Sequence, residues 1–253
     1  LGKIVGQKLG NFKWPVTEGR IRAGFSLARP PGHHATRNRA MGFCLFNNAA
    51  IAAEWAIRQG FADRVAIVDF DVHHGNGTQE IFWCRPDVLF ISSHQSPHYP
   101  GTGALSEVGE GDGEGFTVNF PVPAGRGESF FVPLYRDVVV PLLHQFGPQL
   151  ILVSAGYDIH QDDPLGGMKM TTGGFGALAA LLADAASKLC QGRILFLLEG
   201  GYDLKALREG VIATIDATLG RADFRKEAEQ PSSPDFPAYL QTAKRYLGRY
   251  WKL

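Results

Sequence analysis

The chain has 253 residues, 45% hydrophobic and 11% aromatic, and its 25 Lys and Arg balance 25 Asp and Glu to a formal charge of zero. This composition suits one large globular domain with a sizeable core. The even charge gives no electrostatic reason to hold a phosphate backbone or an anionic membrane, so neither nucleic acid nor membrane is expected as a partner.

In chain order, β-branched and apolar runs predict buried strands over 23–28, 65–70, 88–92, 116–120, 150–154 and 194–198. Helical spacing predicts helices over 45–59, 128–146, 172–189 and 204–219, with Thr171 and Asp203 as capping residues. Strand and helix alternate, which implies right-handed crossovers, a mostly parallel sheet between helical layers, and ligands at the carboxyl ends of the strands. The glycine and acid segment 109–115 lacks calcium-loop spacing and reads as a mobile acidic loop. The tail 221–253, with Pro231, Pro234 and Pro237 before a helix ending in Tyr250-Trp251, reads as a linker and a packing helix. No apolar stretch approaches the roughly 18 residues of a membrane span, because Pro141, His144, Gly147 and Pro148 interrupt the most hydrophobic region. Cys44, Cys84 and Cys190 are far apart and fit neither a disulfide framework nor a thiolate metal site. With no signal-peptide pattern at Leu1, a cytoplasmic protein with a truncated start is expected.

Seven of the eight histidines fall in loops after predicted strands: His33, His34, His73, His74, His94, His98 and His160. The topology gathers those loops at one sheet edge, which marks a site. After the second strand runs Asp69-Phe70-Asp71-Val72-His73-His74-Gly75-Asn76-Gly77. In extended backbone Asp69, Asp71 and His73 share one face, and adjacent carboxylates with an imidazole suit a divalent metal. A polar strand end with capping roles is the plainer alternative. Asp158, in Ser-Ala-Gly-Tyr-Asp at 154–158, supplies a third ligand and leaves a position open for water. His33 and His34, behind Arg29-Pro30-Pro31-Gly32, suggest a general base and acid. Gly200 and Gly201 would let the Tyr202 hydroxyl swing toward an oxyanion, against a plain packing role for that ring.

Taken together, these motifs with Gly42-Phe43, Tyr-Pro-Gly-Thr-Gly at 99–103, Asp-Pro-Leu-Gly-Gly at 163–167 and Glu-Gly-Gly-Tyr at 199–202 resemble the histone deacetylase family, in that family's order. The resemblance covers about 22–220, the expected catalytic core, and implies a three-layer α/β arginase/deacetylase-like fold. It implies hydrolysis of an acetyl amide on lysine or a polyamine by metal-activated water, with one zinc per chain on Asp71, His73 and Asp158. His34 is then the base, His33 its electrostatic partner, and Tyr202 the carbonyl-oxygen donor. Asp69 orients His33, and Asn76, a class II-like feature, orients His34. Phe43 and Tyr99 match the channel walls, the Gly42 carbonyl and Gly201 line the substrate, and Leu165 stands where polyamine-preferring relatives have Glu. Asp69 with Ser92 is a candidate potassium site, or a pair of plain structural groups. Residues 1–21 read as an atypical amino-terminal segment in place of the family's early edge strands, which would leave a sheet edge open to a partner chain.

The leading expectation is a zinc-dependent deacetylase acting on an acetyl-lysine-like amide. A truncated metal- or acyl-lysine-binding pseudoenzyme and an arginase-like dimanganese hydrolase are the alternatives.

Overall fold

The computed structural model describes residues 23–253, so the expectations for residues 1–21 lie outside the described residues. Among the described residues six strands, β1 (Ala23–Ser26), β2 (Val65–Asp69), β3 (Val88–Gln95), β4 (Thr117–Val122), β5 (Leu150–Ala155) and β6 (Ile194–Leu198), form one sheet in the order β1-β6-β5-β2-β3-β4. Every pairing is parallel. All six coincide with the apolar runs read from sequence.

The interior strands are apolar on both faces because helices cover both. Along β2 the side chains alternate, with Ala66 and Val68 in the larger core cluster and Val65 and Ile67 in the smaller. The smaller layer is α1 (Asn48–Arg58), whose buried Ala49, Ala50, Ala52, Ala53 and Ala56 let the helix lie close to the sheet, with α2 (Asn76–Phe82) beside it. The larger layer contains α3 (Glu128–Leu134), α4 (Val140–Phe146), α5 (Thr172–Cys190) and α6 (Leu204–Thr218). The predicted helix 128–146 is continuous but widens into a π turn at Tyr135–Val139, where the Val140 N–H reaches back to the Tyr135 carbonyl. Pro141 has no N–H to offer that ladder and its ring crowds the preceding turn, which accounts for the wider spacing.

The helices depart from expectation in three places. The segment 76–82, not among the predicted helices, folds as one; its first N–H groups are held from outside, those of Gly77 and Thr78 donating to the His33 carbonyl at 3.0 and 3.2 Å. Thr171 makes no side-chain cap, its hydroxyl going to Glu128 instead, whereas Asp203 does cap α6 by accepting the Ala206 N–H at 2.7 Å. Finally, α5, at 19 residues, is long and apolar enough to cross a membrane, yet 56% of its most apolar stretch is buried inside the protein, as in a core helix.

The tail forms α7 (Arg225–Ala228) and α8 (Phe236–Leu247), and Trp251 then donates to the Gly115 carbonyl at 2.8 Å. Segment 109–115 is tied at both ends, Glu110 N–H to Trp83 carbonyl at 3.0 Å and Gly115 N–H to Val108 carbonyl at 2.7 Å, rather than loose.

Candidate active site

From β2 the chain proceeds outward through β3 to β4, then returns to the other side of β2 to build β5 and β6. The crevice beyond the carboxyl ends of β2 and β5 is therefore the topological switch point, where open α/β sheets bind ligands. Asp69 ends β2, facing Ser92 of β3 and Ser154 of β5 in register.

The extended backbone expected through His73 stops at Asp69. Beyond it two successive aspartate turns take over: Asp69 Oδ1 accepts the Asp71 N–H at 3.1 Å, and Asp71 Oδ1 accepts the His73 N–H at 2.9 Å. Asp71 and His73 reach the crevice by these side-chain bonds and not by strand alternation.

There they meet Asp158, and one ligand atom from each of the three lies within 4.8 Å of the others. His73 Nδ1 is 2.9 Å from Asp71 Oδ1 and 3.3 Å from Asp158 Oδ2. The remaining carboxylate oxygens are held by backbone donors, Asp71 Oδ2 by the Gly200 N–H at 2.7 Å and Asp158 Oδ1 by the Val72 N–H at 2.9 Å. Asp158 Oδ2 is buried and accepts no hydrogen bond. A buried carboxylate oxygen without a donor is costly, and two carboxylates with an imidazole are the donor set of a divalent cation. These residues fit such an ion.

The charges tell the same story. Burial and the neighbouring Asp71 push the Asp158 carboxyl up to about 7. Burial works against charge on His73, but the Asp158 and Asp71 carboxylates beside its Nδ1 outweigh it and hold the imidazole up to about 10. Burial likewise opposes ionisation of Asp71, yet His33 and His73 keep it well below the carboxylate range.

The histidine pair stands beside this triad with ring centroids 4.1 Å apart. His33 Nδ1 is 2.9 Å from Asp69 Oδ2, and His34 Nδ1 is 2.8 Å from Asn76 Oδ1. The two are tuned in opposite directions. Burial disfavours the charged form of both, but Asp69 and Asp71 raise His33 well above its ordinary value, whereas His34, also repelled by His33, falls to about 3.

The predicted rim residues gather around these groups. Tyr99 stands edge-on to His34 at 5.1 Å and to His73 at 6.1 Å, while Phe43 lies 6.3 Å from Tyr202. Phe43, Tyr99 and Leu165 are all exposed. Gly42 has a left-handed backbone and no room for a side chain, since a Cβ there would overlap the His34 ring. Gly201, at φ +126°, turns the chain into Tyr202, whose phenol is raised above its ordinary range by burial and by Asp71 and Asp158.

The description "histone deacetylase domain" matches residues 13–218. The chain belongs to the histone deacetylase family. It is 48% identical over 209 residues to "Histone deacetylase 10, chloroplastic" of Oryza sativa subsp. japonica, covering 83% of this chain and 47% of that protein. It is 46% identical over 181 residues to a "Probable deacetylase" of Archaeoglobus fulgidus, covering 72% and 50%. The crystal structure of "HDA15 HD domain" superposes with a TM-score of 0.87 at 39% identity, over 96% of this chain and 66% of that one. The chain thus spans about half the length of these curated relatives. The match to the histone deacetylase domain starts at residue 13, inside the segment read as atypical.

Within this histone deacetylase fold, two acids organise the site without having been assigned a role from sequence. Glu199 accepts the N–H groups of Gly32 and His33 at 2.6 and 3.1 Å, and Asp163 accepts those of Tyr202, Asp203 and Leu165 at 2.6, 3.2 and 2.9 Å. An acid just past an otherwise apolar strand was the available signal for Glu199. Asp69 and Ser92 both have protein partners, Asp69 in His33 and the Asp71 N–H, Ser92 in His94 Nδ1 at 2.9 Å.

Proposed function

We propose that the chain hydrolyses the acetyl amide of an acyl-lysine-like substrate, with zinc held by Asp71, His73 and Asp158. The observation that carries this reading is the convergence of that triad with an oppositely tuned histidine pair and Tyr202 in one crevice. When bound, zinc supplies Lewis acidity toward the acyl carbonyl and lowers the pKa of water.

The rest falls to the chain's own groups. Asn76 Oδ1 only accepts, so His34 carries its proton on Nδ1 and keeps Nε2 as a free base. His34 is neutral at pH 7 and takes the proton from the attacking water. His33, protonated against Asp69, puts a positive charge beside the developing oxyanion. The Tyr202 hydroxyl, held in protonated form, donates to that oxygen, and the proton gained by His34 passes to the leaving amine. Asp163 fixes the turn from which Tyr202 projects.

Aromatic walls at Phe43 and Tyr99 suit a slender alkyl stem, and exposed Leu165 offers a cationic polyamine no ionic partner. The names of the relatives support deacetylation. The test is turnover of an acetyl-lysine peptide by zinc-loaded protein, with Tyr202→Phe beside it. Loss of kcat by about 10²–10³ with little change in KM is expected for removal of one oxyanion donor. A folded, zinc-loaded wild type without turnover overturns the reading and leaves a binding protein.

A further inference from the structure

A second buried polar cluster lies behind the histidine pair, and the proposed chemistry uses none of it. His74, Gln79, His94 and Asn119 are buried there. His74 Nδ1 is 2.7 Å from Thr102 Oγ1 and its Nε2 is 3.0 Å from Gln79 Oε1. That Gln79 oxygen also accepts from Asn119 Nδ2 at 2.7 Å, while Gln79 Nε2 donates to Glu107 Oε2 at 2.6 Å. The Glu107 carboxylate further accepts the Gly103 and Ala104 N–H groups at 3.1 and 3.0 Å. His94, its ring 4.7 Å from His74, reaches the Gly103 carbonyl at 3.0 Å.

The polarity of the chain of bonds follows from one group. Glu107 only accepts, because its backbone and Gln79 bonds outweigh burial and keep it ionised. The Gln79 amide must therefore turn its NH2 to Glu107 and its oxygen to His74. His74 then carries its proton on Nε2, and its bare Nδ1 accepts the Thr102 hydroxyl. The run ends on Thr102 at one side and on Gly103 and Ala104 at the other, the downstream end of the loop that presents Tyr99. Gly103 is pressed against His74 and His94 with no space for a Cβ, so the loop cannot shift at that point without disturbing both rings.

We infer that Glu107 is a positioning residue: through Gln79 and His74 it sets the loop that presents Tyr99, and with it the width of the channel beside the His34 and His73 rings. The inference rests on the proposed amide hydrolysis for its effect on substrate. Its effect on the loop stands apart from turnover. A residue that only stabilised the fold would lower stability without singling out this loop or KM.

The test compares wild type, Glu107→Gln and the reciprocal double variant Glu107→Gln/Gln79→Glu. In Glu107→Gln the bonds no longer all match: a donor faces a donor at Gln79, at the Gly103 and Ala104 N–H groups or, after a Gln79 flip with a change of His74 tautomer, at Asn119. In the double variant the carboxylate and the amide trade places. The carboxylate, now at position 79, accepts from His74, from Asn119 and from the amide NH2 at position 107, while the oxygen of that amide again accepts from the loop. Hydrogen–deuterium exchange mass spectrometry follows the loop amides, and steady-state kinetics on an acetyl-lysine peptide gives kcat and KM separately. The single variant is expected to exchange faster at Gly103 and Ala104 and to raise KM about tenfold, with kcat within about threefold, as one unmatched donor implies. The double variant is expected to return both toward wild type. Unchanged exchange in the single variant, or no recovery in the double, overturns the inference, as does a general loss of stability with no loop-specific change. If the wild type lacks turnover, the proposed activity fails on its own account, and the exchange comparison still decides whether Glu107 holds the loop.

Discussion

Glu199 and His33 lie 166 positions apart in the chain, yet the buried Glu199 carboxylate accepts the His33 backbone N–H at 3.1 Å. The same carboxylate takes the Gly32 N–H at 2.6 Å and the Ser154 hydroxyl at 3.1 Å, and the Arg29 guanidinium reaches the Glu199 carbonyl at 2.7 Å. The next residue, Gly200, donates to Asp71. One strand end thus couples the histidine loop to a metal-ligand candidate. Burial pushes the Glu199 carboxyl up to about 7, from an ordinary 4.5. The folded state then binds the proton more tightly than the unfolded one, so stability is greatest below the unfolded pKa and falls as pH rises through the folded value. Glu199→Gln can keep its oxygen on the two N–H groups and give its NH2 to Ser154, whose hydroxyl rotates. Its cost is therefore expected at about 1 kcal/mol or less, with a weaker loss of stability between about pH 5 and pH 8 than in wild type. Glu199→Ala strands two buried donors and is expected to cost about 2–4 kcal/mol. Urea denaturation at the two pH values checks both.

Divalent-ion uptake is expected to release protons. Without an ion, His73 holds its proton up to about 10 and Asp158 titrates near 7, and both must be bare to ligate. Zinc binding at pH 7 should therefore release about one to two protons per site, and affinity should fall steadily as pH drops. Calorimetry in buffers of different ionisation enthalpy measures the release. Asp158→Asn, which has no proton to lose there, should release fewer and hold the ion more weakly; equal release would dissociate Asp158 from the site.

Gly200 has no space for a side chain, because a Cβ would overlap Asp158 Oδ2 and Asp71 Oδ2. Gly200→Ala must push one carboxylate aside. A drop of about 10–100-fold in zinc affinity is expected, with unchanged circular dichroism. Retained affinity would mean that the carboxylates relax freely.

All six strands were legible because parallel strands buried on both faces read as unbroken apolar runs, and each helix of the larger layer carried its own period. The triad and the histidine pair were legible because their residues sit in short local motifs. What escaped was set by tertiary contact. Helix α2 begins on the His33 carbonyl, a partner that no local window contains. Asp71 and His73 reach the crevice through side-chain turns, which alternation alone places by a different route. Asp163 and Glu107 act on backbone N–H groups of their own loops and on partners in distant segments, Tyr202 and Gln79, and a lone acid in a loop carries no sequence mark of that role.

Asn76→Asp separates the orientation of His34 from its charge. The amide oxygen of Asn76 already fixes His34 through Nδ1 at 2.8 Å, and an aspartate oxygen fits the same bond. The carboxylate adds a negative charge against an imidazole that burial and His33 hold down to about 3. The His34 pKa must therefore rise. Because the base acts when neutral, activity should then be lost at a higher pH on the acid side, and the acid limb of the kcat/KM profile should move up by about one unit or more. Activity at alkaline pH should change little, since His34 is neutral there in both forms. A profile whose acid limb stays in place, with the variant still folded and zinc-loaded, would show that His34 is not the titrating base.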